Sequence, residues 1–346
     1  MREVSIAFLY PSHYPVTGGS SVHGYYLAKG LHNEGYLLNT FTGQPDGFTK
    51  HRNPAFLSRF YWALRSDIVY LRVSLEGKSS AIVRILKLLG KKVIVELNGP
   101  SDELKVTKQY SDSQIAQVDS VLKKRLIHAD AIITISEEMK VWCKKIIGHE
   151  HVFAIENGGE RYISKEITPT QELEKLTLEL KNNFEQLILW SGNAWPWQGV
   201  DIIIDLIKRA PKSMAFVLVC DEQTLFDEIN HFPNVTVLPP LELNDMHYLI
   251  LSVDAGLAHY GDYSWFRTSK FYGSSLKLYQ YLANRLWVAG NFRLSEAPHY
   301  HFSEDLEETI NWLKSKAAEK VPSEWPFRSW NDVAKETSQV IKKLLL

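Results

Sequence analysis

Three loops, each lying between an apolar run and a stretch of helical period, carry the residues able to do chemistry. In the first, PVTGGSSVHGYYLAKGL, Gly18 and Gly19 stand ahead of Ser20 and Ser21. Glycines let a backbone approach a ligand closely, and a serine at a helix start caps it. The free N–H groups and helix dipole then favour a phosphate. A plain turn accounts for the same residues. The pattern is neither GxGxxG nor a Walker loop, which argues against a dinucleotide enzyme or an NTPase. In the second loop, LWSGNAWPWQGVD, Asn193 follows Gly192, Trp195 and Trp197 offer flat surfaces, and Gln198 and Gly199 precede a helix. The alternative is two tryptophans buried at a domain edge. In the third, GSSLKLYQYLANRLWVAG, Ser274 and Ser275 form an N-cap, so the amides of Ser275 and Leu276 point at an anion. Lys277 sits in the first turn, where a cation opposes the helix dipole unless an anion binds there. Gln280, one turn on, is within reach of a hydroxyl of the same ligand.

These loops need a scaffold that delivers helix N-termini to one edge, and the apolar periodicity supplies it. Strands are expected over 4–10, 36–42, 68–73, 92–97, 131–135 and 152–155, interleaved with helices over 22–34, 80–89, 113–128 and 137–147. The second half repeats the alternation, with strands over 187–191, 215–220, 235–238, 256–259 and 286–289. Its helices are expected over 200–209, 225–231, 244–252 and 275–284, then near 304–317 and 331–345. Such alternation implies parallel sheets covered on both faces, with ligands at the carboxyl ends of the strands. The 346 residues suit two domains, 1–165 and 166–329, with a closing helix 330–346 returning to the first. The polar stretch 164–181 is the expected junction.

Composition narrows the classes further. No run approaches the ~20 apolar residues of a membrane-spanning helix, and the apolar run near the N-terminus is too short for a secretory signal. Cys143 and Cys220 form neither a disulfide framework nor a metal-ligand spacing, so a reducing cytoplasm is the expected compartment. Residues 1–165 hold 22 Lys and Arg against 16 Asp and Glu, and residues 166–346 hold 17 against 24. A basic half either meets an anionic partner or attracts the acidic half. The segment KHRNPAFLSRFYWALRS, residues 50–66, joins cations to aromatics. It suits a membrane surface, an acidic acceptor or a helix packed into its own domain.

Taken in order, these segments resemble the family-four glycosyltransferases, retaining enzymes of the GT-B fold. SSLKLYQYLANRLWVAGN is similar to that family's S-P-L-K-L-F-E-Y-M-A-x-G-K-P-V-V-A signature, and GNAWPWQGVDIII to its G-x-x-x-x-x-K-G-V-D-x-L-I loop. IENGGE resembles its I-P-N-G-V-D strand end, TGGSSVHGYYLAKGLHNEGY its glycine-rich donor loop, and FRSWNDVAKETSQVI its closing helix. The resemblance covers almost the whole chain. It implies an α/β protein of two Rossmann-like doubly wound domains facing each other across a cleft. It also implies a nucleoside-diphosphate-sugar as co-substrate and no cofactor.

Carried over by position, Gly18 and Gly19 border the donor diphosphate, the Ser275 and Leu276 amides bind it, and Gln280 faces the ribose. Asn193, Trp197, Gln198 and Ser274 complete the expected donor site. The departures are equally specific. The family's two acidic positions are Tyr272 and Gln280 here, and its Arg and Lys fall on Asn193 and Gln198. The missing cation is then expected from Lys277, or from Arg267 and Lys270. The family's histidine beneath the sugar is Asn98, expected with Lys277 and Glu96 to be catalytic. Glu96 and Glu103 lie nearby to orient sugar or acceptor, although Glu96 equally suits a strand end that caps the loop of Asn98. His13, Tyr14 and His23 are the expected acceptor contacts. No D-x-D motif occurs, which fits a metal-free site in which preorganised N–H groups stabilise the leaving diphosphate.

The implied reaction transfers a sugar to a saccharide or lipid-linked hydroxyl with retention, in polysaccharide or glycolipid synthesis, with peripheral contact at the inner membrane face. The departures leave a second reading open: a degenerate, non-catalytic relative that binds a sugar nucleotide or a partner enzyme. An epimerase or phosphorylase on the same scaffold is disfavoured, because neither a cofactor-lysine context nor matching acid pairs are found.

Overall fold

The computed structural model describes every residue except 1–2, 12, 17, 43, 77, 262–266, 268–273, 292–298, 318, 320 and 323. Lys270 and Tyr272 therefore lie outside the described residues. Contacts divide the chain into two compact units. One comprises Met1–Gly158, Ser264–Ser274 and Trp330–Leu346, and the other Gly159–Tyr263 and Ser275–Ser329.

The first unit runs β1 (Ser5–Leu9), α1 (Gly19–Asn33), β2 (Leu37–Thr40), β3 (Lys50–His51), α2 (Phe56–Arg65), β4 (Ile68–Arg72) and α3 (Ile82–Leu88). It continues with β5 (Lys92–Leu97), α4 (Glu103–Thr107), α5 (Asp112–Leu126), β6 (Ala131–Thr134), α6 (Glu137–Ile147) and β7 (Val152–Ala154). Its sheet has the order β3-β2-β1-β4-β5-β6-β7, all parallel. Strands covered on both faces read as unbroken apolar runs, and Ile6–Phe8, Val93–Val95 and Ala131–Ile133 are buried accordingly. The chain leaves β1 towards one edge and later returns at β4 to build towards the other. The gap between the ends of β1 and β4 is thus a topological switch point, where ligands of such sheets collect.

The second unit contains α7 (Gln171–Asn183), β8 (Gln186–Gly192), α8 (Val200–Arg209), β9 (Met214–Cys220), β10 (Val235–Leu238), α9 (Leu243–Ser252) and β11 (Ala255–Ala258). After these come α10 (Leu276–Ala283), β12 (Trp287–Gly290), β13 (Tyr300–Phe302) and α11 (Leu306–Ala317). Its parallel sheet has the order β10-β9-β8-β11-β12-β13 around a core that includes Trp190, Phe216 and Phe226. Here the switch point lies between β8 and β11. The last helix, α12 (Trp330–Leu345), belongs to the first unit and packs on α1.

Several expectations are corrected. Most of the stretch 164–181, expected as the junction, forms α7, whose Leu173, Thr177 and Leu180 are buried while its charges face solvent. The division of the chain falls instead between Gly158 and Gly159. The helix expected over 225–231 shrinks to a 3-10 turn at Gln223–Phe226, closed soon after by Pro233, which cannot continue a helix. The short strands β3 and β13 and the five-residue α4 carry too little periodicity to be read from sequence. No helix among the described residues is long and apolar enough to cross a membrane.

The α1–α12 contact depends on Gly30. A Cβ there would lie 2.6 Å from Ala334 Cβ and 3.2 Å from the Trp330 carbonyl oxygen. Nearby, Tyr26 stacks on Trp330, and the Tyr36 hydroxyl bonds Ser338 at 2.8 Å. Overpacking such a contact costs about 1–3 kcal/mol. Gly30→Leu is expected to lower the urea midpoint of the first unit accordingly, and an unchanged midpoint would show that α12 is not held there.

Candidate functional site

In the second unit the loops after β8 and β11 are locked together at the switch point. Gly199 has φ of +65°, a left-handed conformation that favours glycine, and a Cβ there would lie 2.9 Å from the Tyr260 carbonyl carbon. The Gly261 amide donates to the Trp197 carbonyl oxygen at 3.0 Å. The loop residues Trp195 and Trp197 stack at 5.3 Å, with Trp195 44% exposed, so they are not the buried pair of the alternative reading. The Asn193 side chain accepts from the Trp195 amide, and Asp221 accepts from the Ala194 amide.

Facing this loop is the N-terminus of α10. Ser275 caps it, its hydroxyl accepting from the Leu278 amide at 3.2 Å and from the Tyr260 hydroxyl. The N–H groups of Leu276 and Lys277, the first two helical residues, have no acceptor within the helix. The Lys277 ammonium donates to Gln198 Oε1 at 2.8 Å and lies over the Trp190 and Tyr260 rings at 4.7 and 5.2 Å. Among the described residues no carboxylate pairs with it. Burial pushes its pKa down to about 7, with Cys220 acting in the opposite sense. His259, at the end of β11, is buried with neither ring nitrogen bonded among the described residues. Burial, then the charges of Lys277 and His301, push its pKa down to about 4. Both basic groups are thus held against protonation by burial, and an anion bound beside them would favour their charged forms.

Other expected donor residues have different partners. Gln280 turns away from the α10 N-terminus, its amide donating to the Glu160 carbonyl oxygen at 2.7 Å and accepting from the Glu160 amide at 3.3 Å. Asn284 also donates to that carbonyl, at 2.9 Å, so the two side chains pin the segment at Glu160. In the first unit, Arg267 is committed to carboxylates. It bonds both oxygens of buried Asp102 at 2.7 and 2.9 Å and Asp119 at 2.7 Å, and these carboxylates raise its pKa against the effect of burial. Ser274 accepts through its hydroxyl and its carbonyl from the Asn157 amide and side chain, at 2.8 and 2.7 Å.

At the switch point of the first unit the Glu96 carboxylate is fully buried at the end of β5. It accepts from Tyr10 at 2.9 Å, Tyr70 at 2.6 Å and Asn98 at 2.6 Å, with His23 Nε2 at 3.3 Å and Arg72 at 3.9 Å. Burial disfavours its charge, but the attraction and hydrogen bond of His23, the Arg72 guanidinium and the Tyr70 hydroxyl outweigh burial and hold its pKa at about 2. Glu96 thus has partners that favour its charged form. Beside it opens a cavity of about 440 Å³ lined by Ser20, Arg72, Glu76, Asn98, Gly99 and Glu103, among others. Asn98 Oδ1 is buried without a partner among the described residues. Burial, reinforced by Asp102 and opposed by Arg72, pushes Glu103 up to about 7.

Gly18 and Gly19 start α1, with Gly18 extended (φ 173°) and its amide donating to the Ser21 hydroxyl at 2.9 Å. A Cβ on Gly18 would meet nothing within 4 Å, so packing leaves that surface open. His13 and His23, expected to touch an acceptor, are buried pairs instead. His13 Nε2 lies 2.6 Å from Asp46, and His23 Nδ1 lies 2.6 Å from Asn157 Oδ1. Tyr14 stacks on Tyr25. Sequence reasoning missed Tyr10, Tyr70 and Arg72, which meet Glu96 only through the strand order, and it gave Asn157 no role although IENGGE stood out.

Neither a protein-family model nor a curated protein sequence matches this chain. Among solved structures it is similar to HepE of Anabaena in complex with UDP-glucose, with TM-score 0.64 and 14% identity over 99% of this chain and 100% of that one. It is also similar to a glycosyltransferase from Rickettsia africae, with TM-score 0.69 and 13% identity over 100% and 99%. A third neighbour is an alpha-glucosyltransferase in complex with UDP and a 13-mer DNA containing a HMU base, with TM-score 0.59 and 13% identity over 100% of both chains. At this identity they show the fold, which is that of the GT-B glycosyltransferases.

Lys277 makes a prediction that needs no ligand. Its pKa is about 7 in the folded chain and about 10.4 unfolded, so between these values the unfolded state binds more protons and stability rises with pH. Lys277→Met, which keeps the apolar stem, is expected to be more stable than the parent at pH 7–8, with the gap closing towards pH 10. A gap that does not change with pH in denaturant titrations would contradict the depressed pKa.

Proposed function

We propose that this protein is a glycosyltransferase that moves a sugar from a nucleoside diphosphate to a hydroxyl acceptor. The observation that carries the reading is Lys277: a cation in the first turn of a helix, with no carboxylate paired to it among the described residues, beside N–H groups that have no acceptor within the helix. A diphosphate supplies the charge that such a place lacks. The UDP and UDP-glucose bound to neighbours of the same fold support a uridine donor.

In this reading the Leu276 and Lys277 amides, the Ser275 cap and the Lys277 ammonium hold the diphosphate, with Gln198 aiming the ammonium. Trp195 and Trp197 offer a stacking surface for the base. The sugar nucleotide is the only co-substrate, with no cofactor or metal required. Gln280 and Arg267 are left out of the donor site, since their polar atoms are used elsewhere.

Within the first unit, the cavity beside Glu96 offers groups able to bond hydroxyls: the Asn98 oxygen, without a partner among the described residues, and Glu103, whose pKa is about 7. As the anomeric carbon–phosphate oxygen bond breaks, the acceptor oxygen bonds that carbon on the same face, and its proton passes to the leaving phosphate. The configuration is retained. Preorganised N–H groups and a cation aimed at the developing charge are a sufficient source of stabilisation for such a step. The biological setting we infer is synthesis of a polysaccharide or glycolipid on the inner side of a membrane.

One observation favours a second reading, a non-catalytic binder of sugar nucleotides. Gln280 and Arg267, two of the groups expected to engage the donor, are both committed to protein partners.

A thermal-shift screen of UDP, GDP, TDP and CMP with their sugar conjugates, in EDTA and in magnesium, tests both readings when paired with a transfer assay. UDP-sugar is expected to raise the Tm equally in both buffers, since ligand at 100 times Kd stabilises by about 2.7 kcal/mol. Lys277→Ala is expected to weaken that binding about tenfold to a hundredfold, as the loss of a charged hydrogen bond implies. Binding without release of UDP over a panel of acceptors would favour the binder. No shift with any nucleotide would sink both.

A further inference from the structure

Two helices of the first unit hold apolar side chains in solvent. On α2, Phe56, Leu57 and Tyr61 are 69%, 79% and 49% exposed, and in and just after α3, Ile85, Leu88 and Leu89 are 49%, 78% and 51% exposed. The crossovers β3 to β4 and β4 to β5 advance in the same direction across the sheet, so right-handedness puts both helices on one face. The helices also meet: Lys91, following α3, donates to the Leu64 carbonyl oxygen of α2 at 2.7 Å. By contrast, α6, α7 and α9 each expose one large apolar side chain, Val141, Leu178 and Leu243, and in and just after α5 only Val121 and Ile127 are exposed, at 40% and 42%. Scattered single exposures are ordinary, whereas grouped ones mark an interaction surface.

The charge of this region indicates what covers it. Residues 50–92 hold ten Lys and Arg against two acids, Asp67 and Glu76. Asp67 already accepts from the Ser5 amide and hydroxyl, and Glu76 from the Tyr110 hydroxyl. Arg65, Arg84 and Lys92 are exposed. Arg65 lies over the Tyr61 ring at 5.4 Å and bonds its hydroxyl, so cation and apolar surface alternate within a few ångströms. A second copy is a poor occupant, because a two-fold contact sets the same basic patch against itself. A surface that is negative and also accepts apolar side chains fits better.

We propose that the α2–α3 face docks on an anionic lipid bilayer, with Phe56, Leu57 and Leu88 entering the headgroup–acyl boundary and Arg65, Arg84 and Lys92 meeting lipid phosphates. The proposal stands apart from the transferase reading, since none of these residues touches the donor or acceptor sites. Cosedimentation with phosphatidylcholine vesicles, with and without phosphatidylglycerol, tests it. The parent chain is compared with Leu57→Ser/Leu88→Ser and Arg65→Glu/Arg84→Glu, each checked for an unchanged Tm.

The parent is expected to bind only the phosphatidylglycerol vesicles at low salt and to release at about 1 M salt, where charges are screened beyond about 3 Å. Both variants are expected to bind about tenfold more weakly or worse. Transfer to a water-soluble acceptor is expected to stay the same, which separates this proposal from the previous one. No binding to phosphatidylglycerol vesicles at low salt, or equal binding by all three proteins, would overturn it. So would a parent dimer in analytical ultracentrifugation that Leu57→Ser/Leu88→Ser abolishes, because the patch would then belong to a second copy.

Discussion

A partly buried ammonium is stabilised by negative charge, and among the described residues of the second unit no carboxylate pairs with Lys277. Lys277 is enclosed by Trp190, Tyr260 and Gln198, and what encloses it explains the local architecture. Gly192 leaves room for Gln198, since a Cβ there would lie 3.0 Å from its Oε1. The contact of Gly199 with the Tyr260–Gly261 backbone ties the two loops that frame the site. Ser275 fixes the start of α10 through its bond from the Leu278 amide. Burial disfavours the ammonium, and rings and one amide oxygen attract a cation less than a carboxylate does, so the pKa is pushed down to about 7.

The first unit solves the opposite problem. Its buried charge, Glu96, is negative and is given more partners than it needs: two phenols, an amide, an imidazole and a guanidinium. A buried anion so well supplied is stiff, and breaking one partner away is costly. It holds Arg72 and Asn98, which line the cavity, while Glu103, without such partners among the described residues, keeps a carboxyl able to gain or lose a proton near neutral pH. Two glutamates seven residues apart differ in chemistry because their surroundings differ.

Much of this was legible in the sequence, for physical reasons. Long parallel strands write themselves as apolar runs, and the helix starts at Gly18–Ser21 and Ser274–Lys277 carry cap residues, so the scaffold and the α10 N-terminus could be placed. The odd position of a lysine in a first turn pointed to an anion. Side-chain commitments were not legible. Gln280 bonds the backbone of Glu160, 120 residues away, and Arg267 bonds Asp102 and Asp119. Nothing local distinguishes those partners from a ligand. His13 and His23 look available in sequence, yet Asp46 and Asn157 claim them inside the core. The α7 helix escaped because its polar face outnumbers its three buried positions.

Lys277 as a cation that waits for an anion is open to direct measurement through its side-chain resonance. With isotopically labelled lysine, assigned through Lys277→Met, the Lys277 pKa is expected near 7 without ligand and at least about two units higher with saturating UDP, since a bound opposite charge favours the ammonium. An ordinary lysine value in the free protein, or a low value that UDP leaves unmoved, would contradict the account.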